Sequence, residues 1–229
     1  IAGIPPTSAH VLNNHTKSVA LDTPHGMVIY KNNLYFTEEK NVVSVLNLTD
    51  FTYSTFVGGQ DISMFSPYSI AIDHITETMY ISDWVKETIL MVNLNTRQTS
   101  IFIDNVLNSK PTAIAILADT MYIASFKNHS IIKVENFRQQ SQMRVALFMG
   151  DKNGKPGFSP DGTELQSVKL KNPDLHSNGN QLFITELANF VIRKLVTFNT
   201  TIQTLQTLAG SKLMNELPRY LGKANKVKF

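Results

Sequence analysis

The chain contains no cysteine. Disulfide bonds, thiolate metal sites and cysteine nucleophiles are therefore excluded. This absence does not fix the cellular compartment, because a β fold built from repeats can be stable without cross-links in either redox environment. Long apolar runs are also missing. No stretch approaches the roughly 18–20 residues that a spanning helix needs, so we expect no membrane segment within these residues.

Signals for helices and for several classes of catalytic site are scarce as well. Asn136 to Met143 is the only stretch that predicts a helical turn. Gly150 to Gly157 is rich in glycine but opens no helix, so it offers no helix N-terminus for a phosphate. The sequence has no nucleophile elbow and no Ser/His/Asp order. It begins at Ile1 without a signal-peptide pattern, which predicts a chain that is processed or cut from a longer protein.

The net charge of +3 is concentrated at one end of the chain. Residues 211–229 hold five basic side chains and one acidic side chain, which leaves 16 basic and 17 acidic side chains in residues 1–210. A protein that neutralises many phosphates would spread lysine and arginine over one face. We therefore interpret the basic end as a solvated linker, and we do not expect nucleic acid to be the partner.

A repeated unit organises the sequence. Each copy begins with a proline, and the four prolines are Pro24, Pro67, Pro111 and Pro173. Each proline precedes a short apolar strand, where it is tolerated because it removes no interior hydrogen bond of the ladder. A turn former, a second strand with an aromatic residue, a third strand and a fourth strand follow. The second strands contain Leu34–Thr37, Met79–Ser82, Met121–Ala124 and Leu182–Thr185.

Four short strands in each copy, at 8–12-residue spacing, predict an all-β radial array of four-stranded antiparallel sheets. The predicted units are 24–66, 67–110, 111–172 with a long glycine-rich linker, and 173–210. Residues 1–23 are predicted to end a preceding unit and its linker, because Ile1-Ala2-Gly3 repeats the pattern of Leu208-Ala209-Gly210. Residues 211–229 are predicted to be the linker to a following unit. The sequence is thus interpreted as a slice of a larger array.

The pattern resembles the NHL repeat of β-propeller proteins. The resemblance is carried by the proline-led strand, by Lys127–Val134 (KNHSIIKV), by Asn189–Leu195 (NFVIRKL) and by the linker Gly150–Pro173. Met79–Trp84 (MYISDW) is also similar to the YWTD repeat of lipoprotein-receptor propellers. Four copies in register cover nearly the whole chain. The family resemblance implies a ring that closes with six blades, of which four are present here; a closed four-bladed ring is the alternative.

The resemblance also implies where a site would lie. The first strands of propeller blades begin at the central channel, so the residues after the four prolines are candidates for its mouth: His25, Tyr68, Thr112 and Asp174. Together they do not form a ligand set for Ca²⁺ or Zn²⁺. Asp151-Lys152-Asn153-Gly154 lacks the later carboxylates of a calcium loop, so we interpret it as a linker turn. We therefore expect neither a metal site nor a cofactor.

Other single residues allow two interpretations. Glu38, Asp83, Ser125 and Glu186 end the four second strands, where an acceptor side chain can bind backbone donors of the next turn, a role that we favour over catalysis. Trp84, the one tryptophan, is either an exposed interaction residue or a residue packed against the neighbouring blade.

Four sequons offer candidates for N-glycosylation: Asn14, Asn47, Asn128 and Asn199. Their number is close to that expected by chance. Asn14, Asn47 and Asn199 lie in predicted surface turns or linkers, whereas Asn128 is more simply a turn residue. The sequons, the YWTD-like copy and the start at Ile1 favour an extracellular or luminal location.

The leading functional hypothesis is a non-enzymatic propeller scaffold that binds a protein through its loop face. Further partners would be the remaining blades or flanking domains of the parent protein. The alternative is a propeller enzyme, a lyase or a metal-dependent hydrolase, with a site at the central channel. A third hypothesis is nucleic-acid binding through one face, against which the near-neutral body argues.

Overall fold

A computed structural model describes residues 19–59, 64, 66–198 and 202–210. These residues form sixteen β-strands in four sheets of four. The first sheet contains β1 (Pro24–Tyr30), β2 (Asn33–Glu38), β3 (Val42–Asn47) and β4 (Tyr53–Gly58). The second contains β5 (Pro67–Asp73), β6 (Thr78–Asp83), β7 (Thr88–Asn93) and β8 (Thr99–Ile103). The third contains β9 (Pro111–Leu117), β10 (Thr120–Ser125), β11 (Ser130–Glu135) and β12 (Arg144–Met149). The fourth contains β13 (Pro173–Ser177), β14 (Leu182–Glu186), β15 (Val191–Phe198) and β16 (Ile202–Gly210).

Each sheet is an antiparallel meander in which strands that follow one another in sequence are neighbours. Such meanders need tight turns, and the sequence supplies them. Lys31 and Asn32 both have positive φ between β1 and β2, which is the backbone of a two-residue hairpin turn. The residue before each third strand is also left-handed, at φ values between 48° and 64°. These residues are Asn41, Glu87, His129 and Phe190.

A β-bulge recurs in the fourth strand of every sheet. In the first sheet Val43 pairs with Val57 but Ser44 pairs with Thr55, so Phe56 is the extra residue. The corresponding extra residues of the other sheets are Phe102, Phe148 and Leu208. A bulge re-aims a side chain that strict alternation would place on the other face. In three sheets it brings phenylalanine against a tyrosine of the second strand, with ring centroids 4.9–5.1 Å apart: Tyr35–Phe56, Tyr80–Phe102 and Tyr122–Phe148.

The chain divides into two compact units, residues 1–111 and residues 112–229. In the first unit, the apolar core lies between the first and second sheets and includes Val43, Met79, Ile81 and Val92, which are all fully buried. In the second unit, a core cluster contains Ile131, Leu182 and Ile184 together with Val168 and Leu170 of the long linker. The linker is therefore part of the core of its unit.

Helical structure is confined to two short 3₁₀ turns among the described residues. Gln140–Gln142 lies inside the segment in which the sequence predicts a helical turn. Leu165–Ser167 lies in the glycine-rich linker, where the sequence analysis misses it, because one turn fixed by the burial of Leu165 leaves no periodic signal. None of the described helices is long and apolar enough to cross a membrane.

Candidate functional site

The second strand of every sheet ends in a buried polar residue. Glu38, Asp83, Ser125 and Glu186 are at most 1% exposed. The two short side chains bind the turn that follows them, as the sequence predicts: Asp83 accepts hydrogen bonds from the amides of Val85 (3.0 Å) and Lys86 (2.9 Å). Ser125 accepts one from the Asn128 amide at 3.1 Å. These bonds hold the turns that carry the loop-face residues.

The two glutamates reach back instead to the segment that precedes their sheet. Glu38 accepts from the Asp22 amide at 2.8 Å, and Glu186 accepts from the Lys171 amide at 3.3 Å. A long carboxylate in such a place needs a polar neighbour on the third strand, and Ser44 and Arg193 fill equivalent positions there. Burial opposes ionisation of Glu38, but its hydrogen bonds, that from Ser44 foremost, outweigh burial and lower its pKa.

Arg193 ties the long linker to the fourth sheet. Its side chain is fully buried, and its Nη1 donates to Glu186 at 3.0 Å. Its Nη2 donates to the Ser159 carbonyl at 2.9 Å and to Asp161 at 3.0 Å. Asp161 in turn accepts from the Thr207 amide and hydroxyl at 2.8 and 2.7 Å. Burial raises the pKa of Glu186, and hydrogen bonds from Asn189 and Arg193 oppose the rise. This buried network is structural, since every member binds backbone or another member.

Three rings of the first unit form a continuous aromatic row. His25 stacks on Tyr68 with centroids 4.4 Å apart and an interplanar angle of 23°. Tyr68 lies 5.6 Å from Trp84 at 31°. All three side chains are half-buried. Pro24 pairs with Glu38 and Pro67 pairs with Asp83, so the row lies at one edge of both sheets.

Charges of opposite sign stand at the two ends of the aromatic row. Glu39 Oε1 lies 3.3 Å from His25 Nε2. Lys110 Nζ lies 4.9 Å above the Trp84 ring, within the range of a cation–π contact. Val85, next to Trp84, is 60% exposed. The edge thus presents, in order, an anion, an imidazole, a phenol, an indole and a cation.

Backbone packing fixes the position of the aromatic row. A Cβ on Gly26 would lie 2.7 Å from the Tyr68 carbonyl oxygen, so only glycine allows this approach of β1 to β5. The Thr37 hydroxyl donates to the same carbonyl at 2.9 Å and accepts from the Gly26 amide at 3.0 Å. Ser82, at the position equivalent to Thr37, accepts from the Ser69 amide at 2.9 Å. The row is therefore held by contacts at backbone level.

Three of the residues that the sequence predicts as site candidates lie together in the structure, whereas Thr112 and Asp174 make other contacts. His25, Tyr68 and Trp84 join in the row. Thr112 is only 8% exposed and lies 3.4 Å from the Ala124 carbonyl. Asp174 is exposed, and its Oδ1 accepts from the Leu175 amide at 2.8 Å. No sequence motif marks Glu39 or Lys110 as site residues, although Glu39 follows the strand-ending acid Glu38 just as Trp84 follows Asp83.

Two sequon asparagines can be placed. Asn47 is the half-buried last residue of β3, and its Oδ1 accepts from the amides of Thr49 (2.8 Å) and Asp50 (3.3 Å) in the turn that follows. The other two residues of the Asn128 sequon are held in the fold. His129 Nδ1 accepts from the Asn172 amide at 3.2 Å, and Ser130 is buried. Asn14 and Asn199 lie outside the described residues.

Asp151 forms the linker turn, where it accepts from the amide of Asn153 at 2.8 Å. Within the described part of the chain, no three His, Asp or Glu side chains are grouped so that they could hold a metal ion.

Solved structures provide the relevant comparisons, since no protein-family model and no curated protein matches the chain. A chain of a nidogen–laminin complex matches 82% of this chain at 13% identity, with a TM-score of 0.59. An auxiliary nutrient binding protein from Bacteroides thetaiotaomicron matches 83% at 13% identity, with a TM-score of 0.51. Virginiamycin B lyase from Staphylococcus aureus matches 79% at 13% identity, with a TM-score of 0.54. The chain has the β-propeller fold.

The four sheets are blades of this propeller, so the predicted fold class is confirmed. The chain spans 64%, 58% and 54% of the lengths of these three structures. At such low identity the likeness extends to the fold alone. The six-bladed ring and the assignment to the NHL type stay predictions.

Proposed function

We propose that this propeller is a non-enzymatic scaffold that binds another protein through the loop face that carries the aromatic row. The observation that carries the proposal is the row itself, with His25, Tyr68 and Trp84 half-buried between two opposite charges. Tyrosine and tryptophan are the residues most often found at the energetic centres of protein interfaces. Because the rings are already stacked, little side-chain entropy would be lost on binding.

The chemistry of the row limits the partner surface. Glu39 and Lys110 would favour a partner with a basic and an acidic group placed at corresponding ends, since complementary charges fix orientation. Exposed Val85 offers an apolar contact beside the indole. A nidogen–laminin complex among the similar structures is consistent with protein binding by this fold. It lends support to the class of function and to no particular partner.

Site-specific photocrosslinking tests the proposal. A photoreactive amino acid is placed at position 85 of the full chain and, as a control, at position 101, where Ile101 is 58% exposed in the outer strand β8. We expect a discrete protein adduct from position 85 in native extracts and none from position 101. Trp84→Ala should abolish that adduct. Equal labelling from both positions, or an adduct that survives Trp84→Ala, would refute the proposal.

The family and the surroundings of the chain belong to the same proposal. We assign the blades to the NHL type and the chain to four blades of a six-bladed ring, which its share of the lengths of the similar structures supports. We also propose an extracellular or luminal location, with Asn14, Asn47 and Asn199 as the candidate glycan acceptors. Mass spectrometry of protein from the native source should find a glycan on at least one of them.

A propeller enzyme is the second candidate, and the similarity to virginiamycin B lyase favours it. Its site would include His25 or Asp174 at the predicted channel mouth. Elemental analysis of the purified protein, with anomalous density at either residue, discriminates the two proposals. A stoichiometric metal there would favour the enzyme.

A further inference from the structure

A cleft lies at the edge of the first two blades opposite the aromatic row, between the β3–β4 turn and the β7–β8 turn. It is a cleft of about 350 Å³, within the size range of small-molecule sites. Tyr35 and Phe56 line its apolar part, and Asn47, Asn95 and Arg97 are among its polar lining residues. No sequence motif marks it. It is distinct from the aromatic row, because Tyr35 and Asn33 lie at the start of β2 whereas the row lies at its end.

The apolar side of the cleft is rigid. Tyr35 and Phe56 are 7% exposed and meet edge to face with centroids 5.0 Å apart. The same pair recurs in the second and third blades, so it belongs to the architecture of the repeat. The small exposed parts of these two rings offer the cleft a limited apolar contact for the C–H groups of a hydroxylated ring.

The polar side of the cleft has one uncompensated charge. The Arg97 guanidinium lies 5.1 Å above the Phe56 ring and pairs with no carboxylate of the described residues. Glu77, the nearby acid, is already engaged: hydrogen bonds from Lys31, Tyr30 and Asn95 lower its pKa to about 2. Asn95 donates to it at 2.7 Å. The cleft therefore favours an anionic ligand.

In the third blade, the position equivalent to this cleft holds a cation and an anion that pair with each other. Strand register makes Lys133 and Glu135 the equivalents of Val45 and Asn47. Lys133 Nζ lies 5.7 Å above the Phe148 ring and pairs with Glu135 at 2.6 Å. Cation and anion there satisfy each other. In the first blade the cation comes from the neighbouring blade and the equivalent acid is replaced by Asn47, an amide.

We propose that this cleft binds a carboxylated sugar, such as a hexuronic acid unit. The planar guanidinium of Arg97 matches a carboxylate with two parallel hydrogen bonds. The Asn47 Nδ2 can donate to a sugar hydroxyl group and the Asn95 Oδ1 can accept from one, since their other amide atoms are bound within the protein. The Asn33 amide and the hydroxyls of Thr52 and Ser54 also line the cleft. The exposed parts of Tyr35 and Phe56 add a limited apolar contact to the sugar ring.

Saturation-transfer NMR and calorimetry with glucuronate test this, on full-length protein made in bacteria so that Asn47 carries no glycan. We expect saturable binding of glucuronate, and binding of glucose and of acetate that is weaker by roughly tenfold or more. Arg97→Gln should weaken glucuronate binding by a similar factor. Arg97→Lys, which keeps the charge but loses the planar fork, should fall between the two.

Arg144→Gln serves as the control, because Arg144 is an exposed arginine in β12 of the second unit. It should leave binding unchanged, and the thermal melts of all variants should coincide. Absent saturation transfer, equal binding after Arg97→Gln, or acetate binding as tight as glucuronate would overturn the proposal. The proposal stands independently of protein binding at the aromatic row.

Discussion

Arg193 Nη1 and Glu186 Oε1 lie 3.0 Å apart with both side chains fully buried. A buried ion pair is weak evidence for net stability, but removing one member leaves the other charged or unpaired in the interior. Here the arginine also holds Ser159 and Asp161 of the long linker. Loss of Arg193 therefore affects both the fourth blade and the segment that leads into it.

Arg193→Met should lower the free energy of unfolding by roughly 3–5 kcal/mol. Urea denaturation of the variant and of Arg144→Met, an exposed control, measures the difference. The double variant Glu186→Met with Arg193→Met should recover part of the loss, because no unpaired charge remains. A loss below about 1 kcal/mol for the single variant would contradict the role given to this pair.

Gly26→Ala should destabilise the first unit and disturb the aromatic row. The added Cβ would meet the Tyr68 carbonyl oxygen at 2.7 Å and the Ser69 Cα at 2.8 Å, and backbone cannot move aside as a side chain can. We expect a cost of roughly 1–3 kcal/mol and altered ring shifts for His25 in NMR spectra.

Gly157→Ala is the matched control for that change. Its added Cβ would lie 2.9 Å from both the Cβ and the Cδ of the exposed Lys169 side chain, and no backbone atom is among its three nearest neighbours. It should cost less than Gly26→Ala, because Lys169 lies in the linker and can shift further than the backbone of a paired strand. Equal losses for the two variants would mean that close backbone approach is not the reason for glycine at position 26.

His129 should make stability depend on pH. Burial and then the charge of Lys171 lower its pKa below the ordinary value of 6.5, and its Nδ1 must be unprotonated to accept from Asn172. The folded state therefore binds this proton less readily than the unfolded state. The contribution is fully present above about pH 6.5 and is lost as pH falls through the lowered folded value.

The comparison of wild type with His129→Gln isolates this effect from other titrating groups. The stability difference between the two proteins should be constant above about pH 6.5 and should change in favour of the variant as pH falls. Chemical denaturation over a pH series measures it. A difference independent of pH would show that His129 does not titrate with folding.

Glycosylation of Asn47 and ligand binding in the Arg97 cleft should exclude each other, because Asn47 lines that cleft. Protein from a glycosylating host should bind glucuronate much more weakly than the bacterial protein, and enzymatic removal of the glycan should restore binding. The Thr49→Ala variant lacks the sequon, so it should bind glucuronate whether it is made in bacteria or in the glycosylating host. Equal binding with and without the glycan would place the ligand elsewhere.

Local signals suffice to predict the strands and their grouping, because alternation, turn formers and a leading proline all act within a few residues. The proline-led strands β1, β5, β9 and β13 illustrate this. The bulge at Phe56 leaves no local signal, since it depends on register with β3. The role of Arg193 is equally hidden, because its partners Ser159 and Asp161 lie 34 and 32 residues earlier in the chain.

The candidate site could be predicted in part. Repeat alignment finds His25 and Tyr68 at equivalent positions, but only packing of two blades shows that their rings stack. Repeat alignment also does not decide whether Trp84 is exposed or packed. In the structure Trp84 is half-buried beside Tyr68. The Arg97 cleft has no signal in the sequence, because its residues come from two blades and no motif joins them.

The affinity of Trp84→Ala for the protein captured by crosslinking tests the central claim most directly. Calorimetry should give a loss of about 2 kcal/mol or more, as expected for an interface centre, whereas Ile101→Ser should lose less than about 0.5 kcal/mol. Equal affinities for wild type and Trp84→Ala would contradict the claim that this propeller binds its partner through the aromatic row.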